Sequence, residues 1–329
     1  FTGDYGPPPA GVPLIYAYDP KHATWLIGVD WSGKPRGTVK LSQPINPFYT
    51  LFQAPDGSAF LVEQGKIDPA QMFDTLGNPI PQPSARYGFQ MWSDDSRQLC
   101  TLEGSPGRWL IGIRTPGAAA SAHPVAIDGP NLRSGDIAIS FASCSPRNDE
   151  AIVTYSYDQR PAEVWVVRIS DGRILMHQTH PAGQLVDIVA SPDGRLIAEN
   201  SAKSDSQIAP AATSTIIRRV SDGSVVSTLD ASVDVLAFSA DDSRALVATS
   251  PWASGVPTQL ALMDVPSGTV LWRSDGVQDL ESFMVRPDGA DFAVLMQATT
   301  DSSSHSPVDV VIVHGDGTVT RIPGQYIRP

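Results

Sequence analysis

The chain has 329 residues, 41% of them apolar, with 27 glycines and 29 prolines, a content that argues against a helical protein and for many short strands joined by tight turns. Its 23 Lys and Arg against 35 Asp and Glu leave a net charge of −12, which repels nucleic-acid phosphates and anionic lipid but suits cationic ligands, divalent metals or basic protein patches. No apolar run approaches the length of a membrane span, and Cys100 and Cys144 belong to no CxxC or Cys/His cluster, which excludes a structural zinc site.

The amino end, Phe1-Thr2-Gly3-Asp4-Tyr5-Gly6-Pro7-Pro8-Pro9-Ala10-Gly11, is rich in Gly and Pro, without an initiator Met or a signal-peptide pattern. It reads as a tether over 1–12 left by removal of a leader or anchor, or as an arbitrary start. Residues 13–329 are expected to form one domain.

From there the chain repeats itself. Pro13-Leu14-Ile15-Tyr16-Ala17-Tyr18 is a first strand, followed by a hairpin turning at Trp31-Ser32-Gly33-Lys34. A turn flanked by apolar strands then recurs at Ala54-Pro55-Asp56-Gly57, Ser93-Asp94-Asp95-Ser96, Ser145-Pro146-Arg147-Asn148-Asp149, Ser191-Pro192-Asp193-Gly194, Ser239-Ala240-Asp241-Asp242 and Arg286-Pro287-Asp288-Gly289. Its first residues are 39, 52, 46, 48 and 47 positions apart. Proline presets the first corner of such a turn, and Asp or Gly tolerates the next. Between these inner turns lies a second hairpin. It turns at Thr75-Leu76-Gly77-Asn78, Thr115-Pro116-Gly117, Ser170-Asp171-Gly172, Ser221-Asp222-Gly223, Pro266-Ser267-Gly268 and Gly315-Asp316-Gly317. With the first, that makes seven outer hairpins. Two hairpins per period give a four-stranded antiparallel sheet of roughly 45 residues, the size of a propeller blade. The expected fold is an all-β, seven-bladed β-propeller with almost no helix.

The Ser191-Pro192-Asp193-Gly194-Arg195-Leu196-Ile197-Ala198 turn, with the Ser221-Asp222-Gly223 hairpin that follows, resembles the WD40-like repeat of TolB-type and YVTN-type bacterial propellers. The likeness covers essentially the whole chain and implies an architecture, not an activity. The Trp-Asp and Gly-His pairs of eukaryotic WD40 repeats are absent, as are the tryptophan-docking repeats of quinone-dependent dehydrogenases. The amino end supplies three strands of its blade. The tail Gly324-Gln325-Tyr326-Ile327-Arg328 is expected to supply the fourth, closing the fold by pairing strands from both termini and removing exposed edges.

In propellers of this kind both turn types fall on one face, which is expected to be structural. Longer, irregular segments belong to the opposite face: residues 155–160, 199–207, 250–255 and 299–307. Loops on a rigid scaffold are where binding resides. Trp252, Tyr155, Tyr157 and Arg160 are residue types favoured at interaction hot spots, and Lys203 lies in the same loops. The alternative is that these aromatics pack locally to hold their own loops. Asp187, Asp234 and Glu281 follow one another at intervals of 47 residues, and Asp136 precedes Asp187 by 51. Equivalent positions in successive blades surround the axis, so these carboxylates would hold Ca²⁺ or a basic partner side chain at the channel mouth, or else be solvated residues bonded to neighbouring amides. His177 and His180 sit where an outer strand leads into the next blade and read as exposed residues rather than ligands.

No nucleophile elbow, HExxH helix, phosphate-binding glycine loop or EF-hand loop is present. Cys100, on the second strand of the third blade, and Cys144, on the innermost strand of the fourth, would form an inter-blade disulfide in an oxidising compartment or stay buried thiols. The functional expectation is an extracytoplasmic binding or scaffolding propeller with a protein partner. It engages no nucleic acid and inserts nothing into a membrane. The alternative is a lactonase- or lyase-like enzyme with a metal-assisted site on the axis; a third reading is a propeller that supports a catalytic domain on a separate chain.

Overall fold

A computed structural model describes residues 1, 3–19, 21–22, 24–42, 50–63, 71–81, 88–105, 108–118, 122–127, 138–156, 163–180, 184–203, 212–230, 233–249, 259–274, 280–297 and 308–325. Every regular element among them is a β-strand, and the strands form seven antiparallel sheets in chain order. This is a seven-bladed β-propeller. The first blade has three strands, Ile15–Tyr18, Trp25–Val29 and Pro35–Lys40; the other six have four each. The fourth blade comprises Ala138–Ser145, Glu150–Ser156, Glu163–Arg168 and Ile174–Thr179. The fifth comprises Gln184–Ala190, Leu196–Lys203, Ala212–Arg219 and Val225–Leu229. The sixth comprises Val233–Phe238, Arg244–Thr249, Gln259–Asp264 and Val270–Arg273, and the seventh Leu280–Val285, Phe292–Gln297, Val308–Val313 and Val319–Gln325.

The middle strands are apolar runs because both of their faces are covered. Ala245-Leu246-Val247-Ala248 and Val310-Val311-Ile312-Val313 are buried throughout. The outermost strands meet solvent, and Ile174, Val225, Val270 and Val319, each two residues past its hairpin glycine, are exposed. All seven outer-hairpin glycines have positive φ, between 68° and 87°. That is the left-handed corner a four-residue hairpin loop requires. Gly77 carries a second constraint: a Cβ there would stand 1.9 Å from the Lys40 carbonyl oxygen.

The inner turns of the second to sixth blades each carry one residue in the left-handed region, Gly57, Ser96, Asp149, Gly194 and Asp242, with φ between 58° and 76°. Ser93, Ser191 and Ser239 are fully buried. Each donates its hydroxyl to the Asp two residues on and accepts the amide five residues on, at 2.6–3.0 Å. The serine thereby replaces water at the point where the strand enters the turn.

Two compact units can be described separately. One contains Phe1–Arg86, Pro116–Ala119 and Val277–Pro329, and so the first, second and seventh blades; the other contains Tyr87–Thr115 and Ala120–Gly276, the third to sixth. In the first unit, Ile15, Ile27, Val29 and Trp31 of the first blade pack against Leu295, Val310, Ile312 and Ile322 of the last. Leu14, Tyr16 and Val39 pack against Phe60, Val62 and Phe73 of the second. In the second unit the third and fourth blades share Leu102, Ile111, Val153 and Trp165, and are joined by a disulfide between Cys100 and Cys144 with a Cα–Cα distance of 6.0 Å and a sequence separation of 44. The fifth and sixth share Ala198, Ile217, Val235 and Phe238.

The first and last blades meet through side-chain faces, and among the described residues no strand of one pairs with a strand of the other. Gly324 and Gln325 finish the outermost strand of the seventh blade, with Gln325 opposite Val308, across a register shift that takes up the ladder donor missing at Pro323. Tyr326, Ile327 and Arg328 lie outside the described residues. The segment read as a tether is also docked along part of its length. The Thr38 amide donates to the Gly6 carbonyl at 2.6 Å, the Tyr5 amide donates to Thr38 Oγ1 at 2.9 Å, and Lys40 pairs with Asp4.

Candidate functional site

In the first unit the turns build a pocket of about 520 Å³. Its walls are Gly11, Val12 and Pro13, the Asp30-Trp31-Ser32 hairpin, and Arg286, Asp288, Asp291 and His314 of the seventh blade. Asp30 opens its hairpin and uses Oδ1 as a local acceptor for the Ser32 amide at 2.9 Å, the Ser32 hydroxyl at 2.6 Å and the Lys34 amide at 3.0 Å. Its Oδ2 accepts from Arg36 Nε at 2.5 Å. Partial burial pushes this carboxyl up, but the Ser32 hydroxyl, the Lys34 amide and Arg36 outweigh it and hold the pKa down at about 2.

On the opposite wall Arg286 bridges two carboxylates, Nε to Asp288 Oδ1 at 2.5 Å and a terminal nitrogen to Asp291 Oδ2 at 3.0 Å. Asp291 also accepts the Gly315 amide at 3.0 Å, and its Oδ2 lies 3.4 Å from His314 Nδ1. His314 Nε2 lies 3.1 Å from Thr320 Oγ1. The lining therefore presents three carboxylates against one guanidinium and one imidazole. Such a surface attracts a cationic group, but its acceptors are occupied by protein donors. A carboxyl held near 2 is a weak base, so Asp30 is suited to fixing charge rather than moving protons.

These residues were not expected as a site, because their positions in Gly-bearing turns read as turn chemistry alone. The pocket lies among turns, on what was expected to be the structural side.

The loop residues proposed from sequence fare unevenly. Trp252, Tyr157 and Arg160 lie outside the described residues. Tyr155 and Lys203 are not loop residues: their backbones sit in strands, Tyr155 opposite Ile139 and Glu163, Lys203 opposite Gln184. The strand Leu196–Lys203 runs through what was read as the start of a loop, because Asn200 and Ser201 pair on both sides, with Asp187 and Val186 and with Thr215 and Ser214.

Of the axial carboxylates, Asp136 lies outside the described residues, and Glu281 is placed by its backbone in the innermost strand Leu280–Val285, at a register shift. Asp187 and Asp234 occupy the innermost strands of the fifth and sixth blades, yet their surroundings differ. Asp187 is open to solvent, while the protein packed around it still raises its carboxyl by desolvation, opposed by the Asn200 side chain and the Ile188 amide. Asp234 is 6% exposed, with Thr215 Oγ1 at 3.4 Å. Between them Asn200 clasps the sixth blade, its side-chain amide donating to the Val235 carbonyl at 2.8 Å and its oxygen accepting the Val235 amide at 2.9 Å. Among the described residues no three His, Cys, Asp or Glu side chains come together as metal ligands.

His177 is paired with Glu163 at 2.7 Å and stacked on Trp165 at 5.2 Å. His180, expected to be exposed, is instead 7% exposed, and its Nε2 is buried without a hydrogen-bond partner. Burial lowers its pKa, with Glu199 opposing and Arg218 reinforcing the shift. It is a packed residue of the joint between the fourth and fifth blades, not a surface ligand.

No family model matches the chain, and no curated protein matches its sequence. Solved structures do match by fold. A prolyl endopeptidase structure superposes with a TM-score of 0.60 at 12% identity, over 96% of this chain and 49% of that one. The hydrazine synthase of Kuenenia stuttgartiensis gives 0.57 at 13% identity, over 98% and 96%. TolB from Acinetobacter baumannii gives 0.47 at 16% identity, over 85% and 64%. No helix among the described residues is long and apolar enough to cross a membrane.

Proposed function

We propose that this chain is an extracytoplasmic binding or scaffolding propeller, built from repeats of the TolB and YVTN type, that engages a protein partner. The observation that carries binding over catalysis is the state of the pocket carboxylates. Asp30 is committed to turn amides and Arg36, and Asp288 and Asp291 to Arg286, a fixed acidic surface suited to a basic group on a partner. The disulfide supports a location outside the reducing cytoplasm. Trp252, Tyr155, Tyr157, Arg160 and Lys203 are proposed as further contacts on the loop side. Affinity capture from the native extracytoplasmic fraction, with wild type beside a Trp252→Ala/Arg160→Ala variant and an Asp288→Asn variant, tests the reading. A partner held by wild type and released by the variants is expected; equal recovery with all three contradicts it.

Asp136, Asp187, Asp234 and Glu281 are proposed to seat Ca²⁺ or a basic side chain on the axis. A rise in melting temperature at millimolar calcium, lost in Asp187→Asn, is the expected result, and no shift ends the metal version. The second reading, a lactonase- or lyase-like enzyme with a metal-assisted site, draws on Asp187, whose raised carboxyl is the kind of group that acid–base chemistry uses. It requires metal-dependent turnover of a lactone panel that Asp187→Asn abolishes.

A further inference from the structure

The inner turns of the second unit make a series of turn-to-turn joints. Between the third and fourth blades, Ser145 Oγ donates to Asp94 Oδ2 at 2.8 Å, and the Asp94 amide to the Cys144 carbonyl at 3.0 Å. Between the fourth and fifth, the Asn148 side-chain amide donates to the Asp193 carbonyl at 2.5 Å. Between the fifth and sixth, two carboxyl groups meet. Asp193 and Asp242 both face Arg195 and repel each other, and the Ser191 hydroxyl donates to Asp193 Oδ1 at 2.9 Å. Arg195 pairs with Asp193, and its Nε stands 3.9 Å from Asp242 Oδ2. Asp242 Oδ1 is buried without a hydrogen-bond partner, and the residue sits at φ 60°.

We propose that the Asp193–Asp242 pair is a proton-operated latch between the fifth and sixth blades: closed when the two carboxyls share one proton, and loosened when both are ionised.

Two carboxylates this close cannot both ionise without cost unless a cation compensates fully. Arg195 does so only in part, because its side chain is 73% exposed and water screens it. The other charged groups nearby are already engaged. On the sixth-blade turn, Asp241 is bonded to Ser239 and Ser243, and Arg244 to Asp264. From the fourth blade, Glu150 adds negative potential at Asp193, offset by Arg168. Burial first, and Asp193 second, raise the Asp242 carboxyl to about 6, against the pull of Ser191 and Arg195. The native pair therefore binds a proton that the unfolded chain releases near pH 4. Its contribution is complete below about pH 4 and is lost as pH rises through about 6.

Native-state hydrogen exchange, corrected for the intrinsic pH dependence of exchange, tests the latch. The reporters are the Gly194 and Leu196 amides of the fifth-blade turn and the Asp242 and Arg244 amides of the sixth. The Gly57 amide, in the inner turn of the second blade, is the control. In wild type the four reporters should be roughly tenfold better protected at pH 5 than at pH 7.5, on the scale of a tenfold change per pKa unit, while Gly57 stays constant. Asp242→Asn should abolish the difference. Should that variant misfold, Asp242→Gly, which copies Gly194 in the preceding blade, replaces it. An identical pH response in wild type and variant overturns the proposal, as does a carboxyl NMR titration in which the pair shows no step above about pH 4.5.

Discussion

Two joints between neighbouring blades illustrate how one geometry can be held in different ways. Where the third blade meets the fourth, a disulfide crosses the interface and a serine hydroxyl satisfies an aspartate at the turn. Where the fifth meets the sixth, no covalent link is present. A buried asparagine clasps the neighbouring backbone through two hydrogen bonds, and the turns bring two carboxyls together. Apolar packing is similar in kind at both. The difference lies in the polar rim: a serine hydroxyl donates to the partly buried Asp94 at one joint, while a second carboxyl faces Asp242 at the other.

Removing the covalent link should have the largest effect. Cys100→Ala/Cys144→Ala should lose about 4 kcal/mol of unfolding free energy, as expected for opening a loop of this length, measured by denaturant titration. A loss under about 1 kcal/mol would make the two joints equivalent. Next, Asn200→Ala leaves the Val235 amide and carbonyl buried without their partner and should cost roughly 2–4 kcal/mol. A cost below about 0.5 kcal/mol would mean that water replaces the clasp.

The two turn contacts should then respond with opposite signs. Ser145→Ala removes the donor to Asp94, whose carboxyl burial already pushes up, and should destabilise by about 1–2 kcal/mol at neutral pH. Asp242→Asn removes a like-charge contact and suits the left-handed backbone, so it should stabilise by about 1 kcal/mol at pH 7.5 and lose that advantage below about pH 4. Thermal melts of both variants across pH 4–8 check this, and the same sign for the two would erase the contrast.

Much of the frame could be read from the chain because it is written in local chemistry. Gly33, Gly77, Gly117, Gly172, Gly223, Gly268 and Gly317 mark corners that need positive φ, and all seven have it. Ser191-Pro192-Asp193-Gly194 marked a turn whose buried serine then proved to be its organising group. What sequence could not supply is which turns touch. Asp30 and Asp291 look like ordinary turn residues and share a pocket only because the first and last blades pack together. Asp187 and Asp234 stand one blade period apart, yet one is open and the other buried, since burial depends on the neighbouring blade rather than on spacing. His180 and Lys203 were misplaced for related reasons: a strand continued by pairing, or covered by a neighbour, carries no local mark of either.

The link between the third and fourth blades is the most direct test, because it demands both the assigned order of strands and an oxidising location. Peptide mapping of the native protein, alkylated while denatured and without reductant, should recover the Cys100 and Cys144 peptides joined to each other and unlabelled. Two alkylated, separate peptides from freshly isolated protein would contradict the joint and the extracytoplasmic reading together.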